Sequence, residues 1–254
     1  MSIENYNYWE HRAQEYLGQI EVMTSNDPIL ANLEIEALDS YFATQPQYQN
    51  ILEVGCGSGR IIKTLADQYP LKSWHGIDYS ETMIQQAVSL CIPNSVFEVA
   101  NMLTWNTSSK YDQIFFVRSL TNLASHLEQT VVLDHMQSFV KSSGALILLE
   151  PTLQGMEQIN RMRTQFDLEP MKAAWFNHYL DLPIIIKQLE YQFKQVEVRQ
   201  FSATYCLVSR VINAAQAKHQ KEELKYSDYL NQIGAILNQT ISNVSTHTMI
   251  IATR

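Results

Sequence analysis

A doubly wound α/β sheet, parallel through its centre, is the fold class that this 254-residue sequence predicts. Three observations carry the prediction. Apolar runs of strand length alternate with helix-compatible stretches, the signature of βαβ units. Several runs, such as Ile114-Phe115-Phe116-Val117, are apolar throughout, as parallel strands covered on both faces require. Residues 51 to 60 read as a buried strand entering a bare-backbone turn, where Gly55, Gly57 and Gly59 remove three β-carbons in five residues.

The elements follow in order. Residues 4 to 18 form an amphipathic helix rich in Tyr, Trp and charge. Asp27 is an N-cap and Pro28 a first-turn proline for a helix over 29–42, before Pro46 and strand one. A helix over 61–69 leads to strand two, Trp74 to Ile77, ending in Asp78. Ser80 with Glu81 opens a helix to Leu90, then Val96 to Ala100 and Tyr111 to Val117 supply strands three and four. A helix over 127–140 precedes strand five, Ala145 to Leu149, which ends at Glu150-Pro151. Beyond it, residues 155 to 193 read as helical with an aromatic middle and Val196 to Val211 as one long strand. A helix over 216–239 and a final strand, Thr246 to Thr253, complete the pattern.

Composition bounds the function. Acids exceed bases, 26 to 18, giving a formal charge of −8, and no dense run of bases appears. A broad nucleic-acid surface is not expected, because phosphate neutralisation needs clustered Lys and Arg. Cys56, Cys91 and Cys206 are odd in number, far apart and without metal-ligand spacing, so no metal site and a reducing compartment are expected. The opening residues lack a signal-peptide profile, and no apolar stretch approaches the ~20 residues that span a bilayer. We therefore expect a cytoplasmic protein without a membrane partner. Asn106, Asn238 and Asn243 sit in glycosylation-like triplets, read as chance matches in that setting.

The glycine turn identifies a ligand class. Asp78 lies nineteen positions past Gly59, where a strand-two acid meets a ribose diol. A dinucleotide motif wants a third glycine at position 60, and that residue is Arg60. The spacing here is Glu53-x-Gly55-x-Gly57-x-Gly59. An acid so close serves a pyrophosphate poorly and a cationic ammonium well. This pattern closely resembles the first motif of class I S-adenosylmethionine-dependent methyltransferases. The resemblance implies S-adenosylmethionine as cofactor and a Rossmann-like, seven-stranded, mostly parallel sheet closed by an antiparallel hairpin. It also implies one domain over 1–254, with N-terminal helices or lid at 1–45 and a cofactor-binding core at 46–151. Segments 152–195 and 212–245 form cap and substrate elements, and 196–211 and 246–254 are the closing strands.

Ligands of open α/β sheets bind at the carboxyl ends of the strands, which selects the site residues. Glu53, Gly55 and Gly57 face the methionine part, Gly59 helps helix packing, and Asp78 accepts from the ribose hydroxyls. Tyr79 and Met83 sandwich the adenine, although Met83 reads equally as a core residue. Asn101-Met102 stands where family members often place an acid near the adenine amino group. Arg118, costly at the end of an apolar strand unless paired, faces a carboxylate of cofactor or substrate, or an ion pair to Glu150 or Asp134. Tyr8 and Arg12 share one helix face with Trp9, which makes residues 4–18 either a lid over the cofactor or a surface helix.

The remaining motifs resemble a bacterial subgroup of small-molecule methyltransferases. They are Arg118-x-x-x-Asn122-Leu, Glu150, Asn160-x-x-Arg163, Leu168-x-Pro170, Trp175-x-Asn177-x-Tyr179-Leu180 with Asp181, and Tyr205-x-Leu207-x-x-Arg210-Val211. The implied partner is a small-molecule methyl acceptor, met by Asn122, Arg163, Asn177, Tyr179, Tyr205 and Arg210. A hydroxyl or ammonium acceptor must lose a proton, and Glu150 and His178 are the first choices as base, with His126 and Tyr205 behind them. Glu150 reads equally as a structural partner for Arg118 or Arg163. Protein side-chain methylation and a catalytically silent cofactor-binding partner are the alternative functions. Monomer and homodimer both stay open.

Overall fold

The computed structural model describes residues 3–226, 228–237 and 244–254. The chain opens with helices α1 (Ile3–Glu15), α2 (Ile20–Met23) and α3 (Pro28–Ala43). Helix α3 begins as its sequence dictates: the Asp27 carboxylate accepts the Leu30 N–H at 3.0 Å, and Pro28 takes the first helical position. Next come β1 (Asn50–Val54), α4 (Arg60–Gln68), β2 (Ser73–Asp78), α5 (Glu81–Ser89) and β3 (Ser95–Val99). After them run β4 (Tyr111–Val117), a 3₁₀ turn at Leu120–Asn122, α6 (His126–Gln137) and β5 (Val140–Pro151). Ser80 and Ser125 cap α5 and α6 by accepting the N–H of Met83 and Glu128.

Beyond β5 the chain forms α7 (Leu153–Gln165), α8 (Leu182–Gln192), β6 (Gln195–Arg199) and α9 (Ala203–Leu207). A π-helical turn at Val208–Ile212, α10 (Asn213–Gln220), α11 (Tyr229–Ile236) and β7 (His247–Thr253) follow. One seven-stranded sheet results, in the order β3-β2-β1-β4-β5-β7-β6. Strands β1 to β5 pair in parallel, and β7 runs antiparallel to both β5 and β6. The strand order reverses between β1 and β4, so the crevice at their carboxyl ends is where a ligand belongs.

Both faces of the sheet are covered, which explains the unbroken apolar runs: every residue of β4 is buried. On one face α3 and α4 pack Leu38, Phe42 and Leu65 over Phe115 and Ile147. On the other, α6 and α8 pack Leu133, Met136 and Leu189 over Phe116 and Leu148. At about 1.5–3 kcal/mol for each fully buried aliphatic side chain, these layers supply most of the driving force.

The long strand expected over 196–211 is corrected. Only Gln195–Arg199 is extended; Phe201, Tyr205 and Ser209 then bury at four-residue spacing, the period of a helix, and the Cys206 N–H donates to Ser202 O. The insertion between the last two strands therefore starts at residue 200 rather than 212. Its expected helix over 216–239 is broken, because α10 stops at Lys221 in the left-handed region (φ 58°). Residues 166–181, expected to be helical, form an irregular segment between α7 and α8. Asn238 and Asn243 lie outside the described residues.

Candidate active site

A cavity of about 450 Å³ opens at the carboxyl ends of β1, β2 and β4, roofed by α1, the start of α3 and the 172–179 segment. Its size falls in the ordinary range of small-molecule sites.

The glycine loop sets the floor. Gly55, Gly57 and Gly59 all adopt positive φ, at 77°, 52° and 78°. A Cβ at Gly55 would lie 2.4 Å from Ser119 Cβ, and one at Gly57 would lie 2.9 Å from Thr24 Cγ2. A Cβ at Gly59 would lie 3.0 Å from Ala87 Cβ of α5, so that helix packs closely on the loop. The loop's amides are bonded within the fold. Gly55 and Cys56 N–H groups donate to Ile77 O at 2.8 and 3.0 Å, and the Gly57 N–H donates to Asp78 Oδ2 at 2.9 Å. The glycines thus contribute closeness and space rather than a row of open donors.

Asp78 also accepts the Ser80 N–H at 2.9 Å through Oδ1. Each oxygen keeps a second lone pair for a ligand. Burial pushes this carboxyl up against the pull of those amides, and nearby Glu10 adds to the rise. Glu53 is 2% exposed, and its Oε2 has no hydrogen-bond partner. Burial raises its pKa well above the usual carboxylate range; Arg60 offsets part of this and Asp78 adds repulsion. The Ile62 backbone amide also supports this carboxyl, and the remaining orphaned oxygen is unfavourably buried unless a donor or cation meets it.

Above the floor, α1 brings Tyr8, Trp9 and Arg12 to the cavity. Glu10 accepts from the hydroxyls of Ser80 (2.6 Å) and Thr82, and Asn5 Nδ2 donates to Asn122 O at 2.8 Å. Tyr8 stacks on Phe176 with centroids 4.3 Å apart, and Trp175 and Trp9 meet that pair edge-on. Arg12 lines the cavity but spends its guanidinium on Met23 O and Asn26 Oδ1, both at 2.6 Å, fixing the roof rather than gripping a ligand. Tyr79 lines the wall and donates its hydroxyl to Asn5 O at 3.2 Å. Met83 and Met102 line it too, and Met83 is also buried in a small cluster with Ala13 and Met23.

The structure reassigns several expected site residues. Arg118, in the left-handed region at φ 50°, pairs with Glu34 of α3 at 2.8 Å and donates from Nη1 to Thr24 O, not to Glu150 or Asp134. Its Nη2 is the nitrogen not used in these bonds, and the side chain lines the cavity. Glu150 is fully buried and accepts the N–H groups of Ser119, Leu120 and Thr121 at 2.8, 2.8 and 3.3 Å. It shapes the loop after β4 and does not line the cavity; burial lifts its pKa to about 7 against those amides. His178 does not line the cavity and meets the His126 ring edge-on at 6.4 Å, while its neighbours Asn177 and Tyr179 line it. Asn101 is exposed, and its Oδ1 accepts the Leu103 N–H at 3.0 Å, closing an Asx-turn.

Arg163, Tyr205 and Arg210 are likewise scaffold, not wall. Arg163 donates to the carbonyls of Glu169 and Arg210. Tyr205 Oη and Arg210 Nη2 reach the two oxygens of Asp27 at 2.6 and 2.5 Å, tying the insertion to the cap of α3. Burial is the largest influence on Arg210 and lowers its pKa, but Asp27, Tyr226, Cys206 and Tyr205 acting together raise it by more. Asn160 clamps the Met171 backbone through both ends of its amide, at 2.9 and 2.7 Å. The subgroup motifs therefore mostly build the roof's frame.

Residues missed in the sequence include Asp27 as a wall residue, Arg60, Lys172, Tyr226 and His247, all lining the cavity. Glu34, buried behind Arg118, carried a signal: Leu30, Glu34 and Leu38 fall on one helical face, an acid inside an apolar stripe.

The sheet order and the closing antiparallel hairpin are those of the Rossmann-like methyltransferase fold, with an acid-flanked glycine loop at its crevice. Residues 51–144 match the family model described as a methyltransferase domain. Among curated relatives, a trans-aconitate 2-methyltransferase from Escherichia coli is 32% identical over 138 residues, covering 52% of this chain and 53% of the relative. The chain thus spans about half the length of the curated relatives it matches. Similar folds include the N-methyltransferase NodS from Bradyrhizobium japonicum, solved with S-adenosyl-L-homocysteine (TM-score 0.63, 14% identity, 98% of this chain and 97% of that one). The plantazolicin methyltransferase BpumL is another (TM-score 0.55, 16% identity, 99% and 98%).

Proposed function

We propose that the chain is an S-adenosylmethionine-dependent methyltransferase that acts on a hydroxyl or amine of a small molecule. One observation carries the reading: a buried Glu53 carboxyl, whose Oε2 has no hydrogen-bond partner among the described residues, shares the crevice with Asp78 and the β-carbon-free loop. Those features fit the cofactor's ammonium, its ribose diol and its close approach to backbone. Relatives named for trans-aconitate and plantazolicin support a small acceptor.

Bound there, the cofactor supplies an electrophilic methyl group on a sulfonium. Asp78 holds the ribose side and Glu53 the amino end. The Tyr8, Phe176 and Trp9 cluster excludes water, while Asn122, Asn177 and Tyr179 face the acceptor's space. Alignment of two reactants in such a cavity is worth ~7–11 kcal/mol at the favourable limit. Among the described residues, no group of His, Cys, Asp and Glu is arranged to hold a metal, and no helix is long and apolar enough to cross a membrane. The reading includes a reducing, cytoplasmic setting, consistent with Cys56, Cys91 and Cys206 all being free thiols.

Calorimetric titration with S-adenosylhomocysteine tests it. Wild-type protein binds, and Asp78→Ala weakens binding by ~1–3 kcal/mol, the range for losing hydrogen bonds to a charged group. Unchanged affinity in that variant would sink the assignment. Release of S-adenosylhomocysteine across a metabolite panel separates an active enzyme from a silent cofactor-binding partner.

A further inference from the structure

His247, the first residue of β7, is an imidazole built into the cavity wall opposite Pro151. Its Nδ1 lies 2.9 Å from Thr246 Oγ1, and its backbone N–H donates to Ser245 Oγ at 3.1 Å. Nε2 makes no hydrogen bond to any described residue, and the side chain lines the cavity.

Behind Thr246 runs a chain of buried hydroxyls and one thiol. Thr246 Oγ1 is 3.4 Å from Cys206 Sγ, which is 3.5 Å from both Ser245 Oγ and Ser202 Oγ, and those two hydroxyls are 2.6 Å apart. All four partners are 2% exposed or less. So much polar matter sunk behind one ring is costly unless it fixes that ring's position. The charged groups acting on it are Arg118, from the end of β4, and Arg210, from the π-helical turn; both oppose a positive imidazole. The carboxylate of Asp27, which also lines the cavity, is committed to Arg210 and Tyr205. The phenols of Tyr179 and Tyr226 complete the surroundings. With burial acting in the same direction, the ring is held neutral well below the usual histidine pKa.

We propose that His247 is the general base of the methyl transfer, accepting through Nε2 the proton of a hydroxyl or ammonium acceptor. This role rests on the methyltransferase reading above. The acceptor's lone pair bonds to the methyl carbon, and the carbon–sulfur electron pair stays on the sulfur. The acceptor's proton passes to Nε2, and the imidazolium returns it to water when the cavity opens. The sulfonium charge vanishes as the imidazolium charge forms, so the cavity's net charge is conserved. That balance suits a ring that is a poor proton acceptor before reaction and a better one during it. Thr246 is a positioning residue, holding Nδ1–H so that Nε2 presents its lone pair.

The test compares wild type, His247→Gln and Thr246→Val with a panel of hydroxyl and amine acceptors, trans-aconitate as a carboxylate control, and titration with S-adenosylhomocysteine. His247→Gln is expected to bind S-adenosylhomocysteine within about twofold of wild type while losing at least ~100-fold in kcat/KM on a hydroxyl or amine. Nitrogen-15 spectra of the ring should show a neutral Nδ1–H tautomer across pH 6–8, and Thr246→Val should shift both tautomer and pH–rate profile. A His247→Gln variant that turns over as wild type, an Nε2–H tautomer, or methylation of the carboxylate alone would overturn the role. So would a protein that binds S-adenosylhomocysteine and methylates no hydroxyl or amine. Failure of the wild type to bind S-adenosylhomocysteine overturns the methyltransferase reading itself, and this role with it.

Discussion

Arg118 and Glu34 form an ion pair at 2.8 Å between the end of β4 and the middle of α3, with the glutamate fully buried and the arginine a fifth exposed. The pair fixes a left-handed arginine at the cavity wall and ties the N-terminal helices to the sheet. Burial raises the Glu34 pKa despite Arg118 and Arg60 nearby, so the pair is held by geometry and not by a favourable solvation balance.

Removing one partner should therefore be costly. Glu34→Gln is expected to lower stability by about 3 kcal/mol, the low end for breaking a buried pair because Arg118 retains some solvent. Urea denaturation measures this, and a double variant with Arg118→Met should recover part of the loss. A fully stable Glu34→Gln protein would show that the pair contributes nothing.

Glu53 should make cofactor binding proton-linked. Its carboxyl is protonated in the free protein to an unusually high pH, whereas a bound ammonium favours the carboxylate. Binding then releases a proton, and affinity rises with pH until the raised pKa of the free protein is passed. Titrations in two buffers of different ionisation enthalpy should give different observed heats, with the difference lost in Glu53→Gln. Identical heats in wild type would contradict the placement of the ammonium there.

Glu150 should tilt the stability curve. The native carboxyl titrates near pH 7 and the unfolded one near 4.5. Between those values the native state holds more protons, so this group's contribution falls as pH rises, by an amount on the order of 3 kcal/mol across the window. Chemical denaturation from pH 4 to 8 should reveal the slope and Glu150→Gln should flatten it. The same variant should leave S-adenosylhomocysteine affinity nearly unchanged, because the side chain does not reach the cavity.

Loosening the aromatic roof should speed ligand escape. Tyr8→Ala removes the 4.3 Å stack on Phe176, an interaction worth ~0.5–1.5 kcal/mol. Stopped-flow fluorescence from Trp9 and Trp175 should show S-adenosylhomocysteine leaving roughly 2- to 10-fold faster. An unaltered rate would mean that release does not need this contact to part.

What the sequence made legible was local. Asp27, Ser80 and the glycine turn act within a few residues of themselves, and β4 and the second half of β5 announce their burial by continuous apolar runs. The 196–211 segment misled because strand-like Val196 and Val198 run straight into a stretch where β-branched residues and a buried tyrosine fit a helix equally well; tertiary packing made the choice. Glu150 stood where an acid serves either as wall or as loop support, and only the three amides of residues 119–121 decide between them. His247 gave no sign, since its importance comes from strand pairing with Pro151 and from thiol and hydroxyl groups some forty residues away.

Asp27 sits where two far-separated parts of the chain are knotted: the first turn of α3 and, in the insertion, the hydroxyl of Tyr205 with the guanidinium of Arg210. Such a joint makes the insertion a structural organ and not an exchangeable accessory. Grafting a relative's insertion onto this scaffold, in the hope of trading one acceptor preference for another, would strip a helix of its cap and strand a carboxylate. Any such chimera must carry the aspartate, the tyrosine and the arginine across as one inheritance.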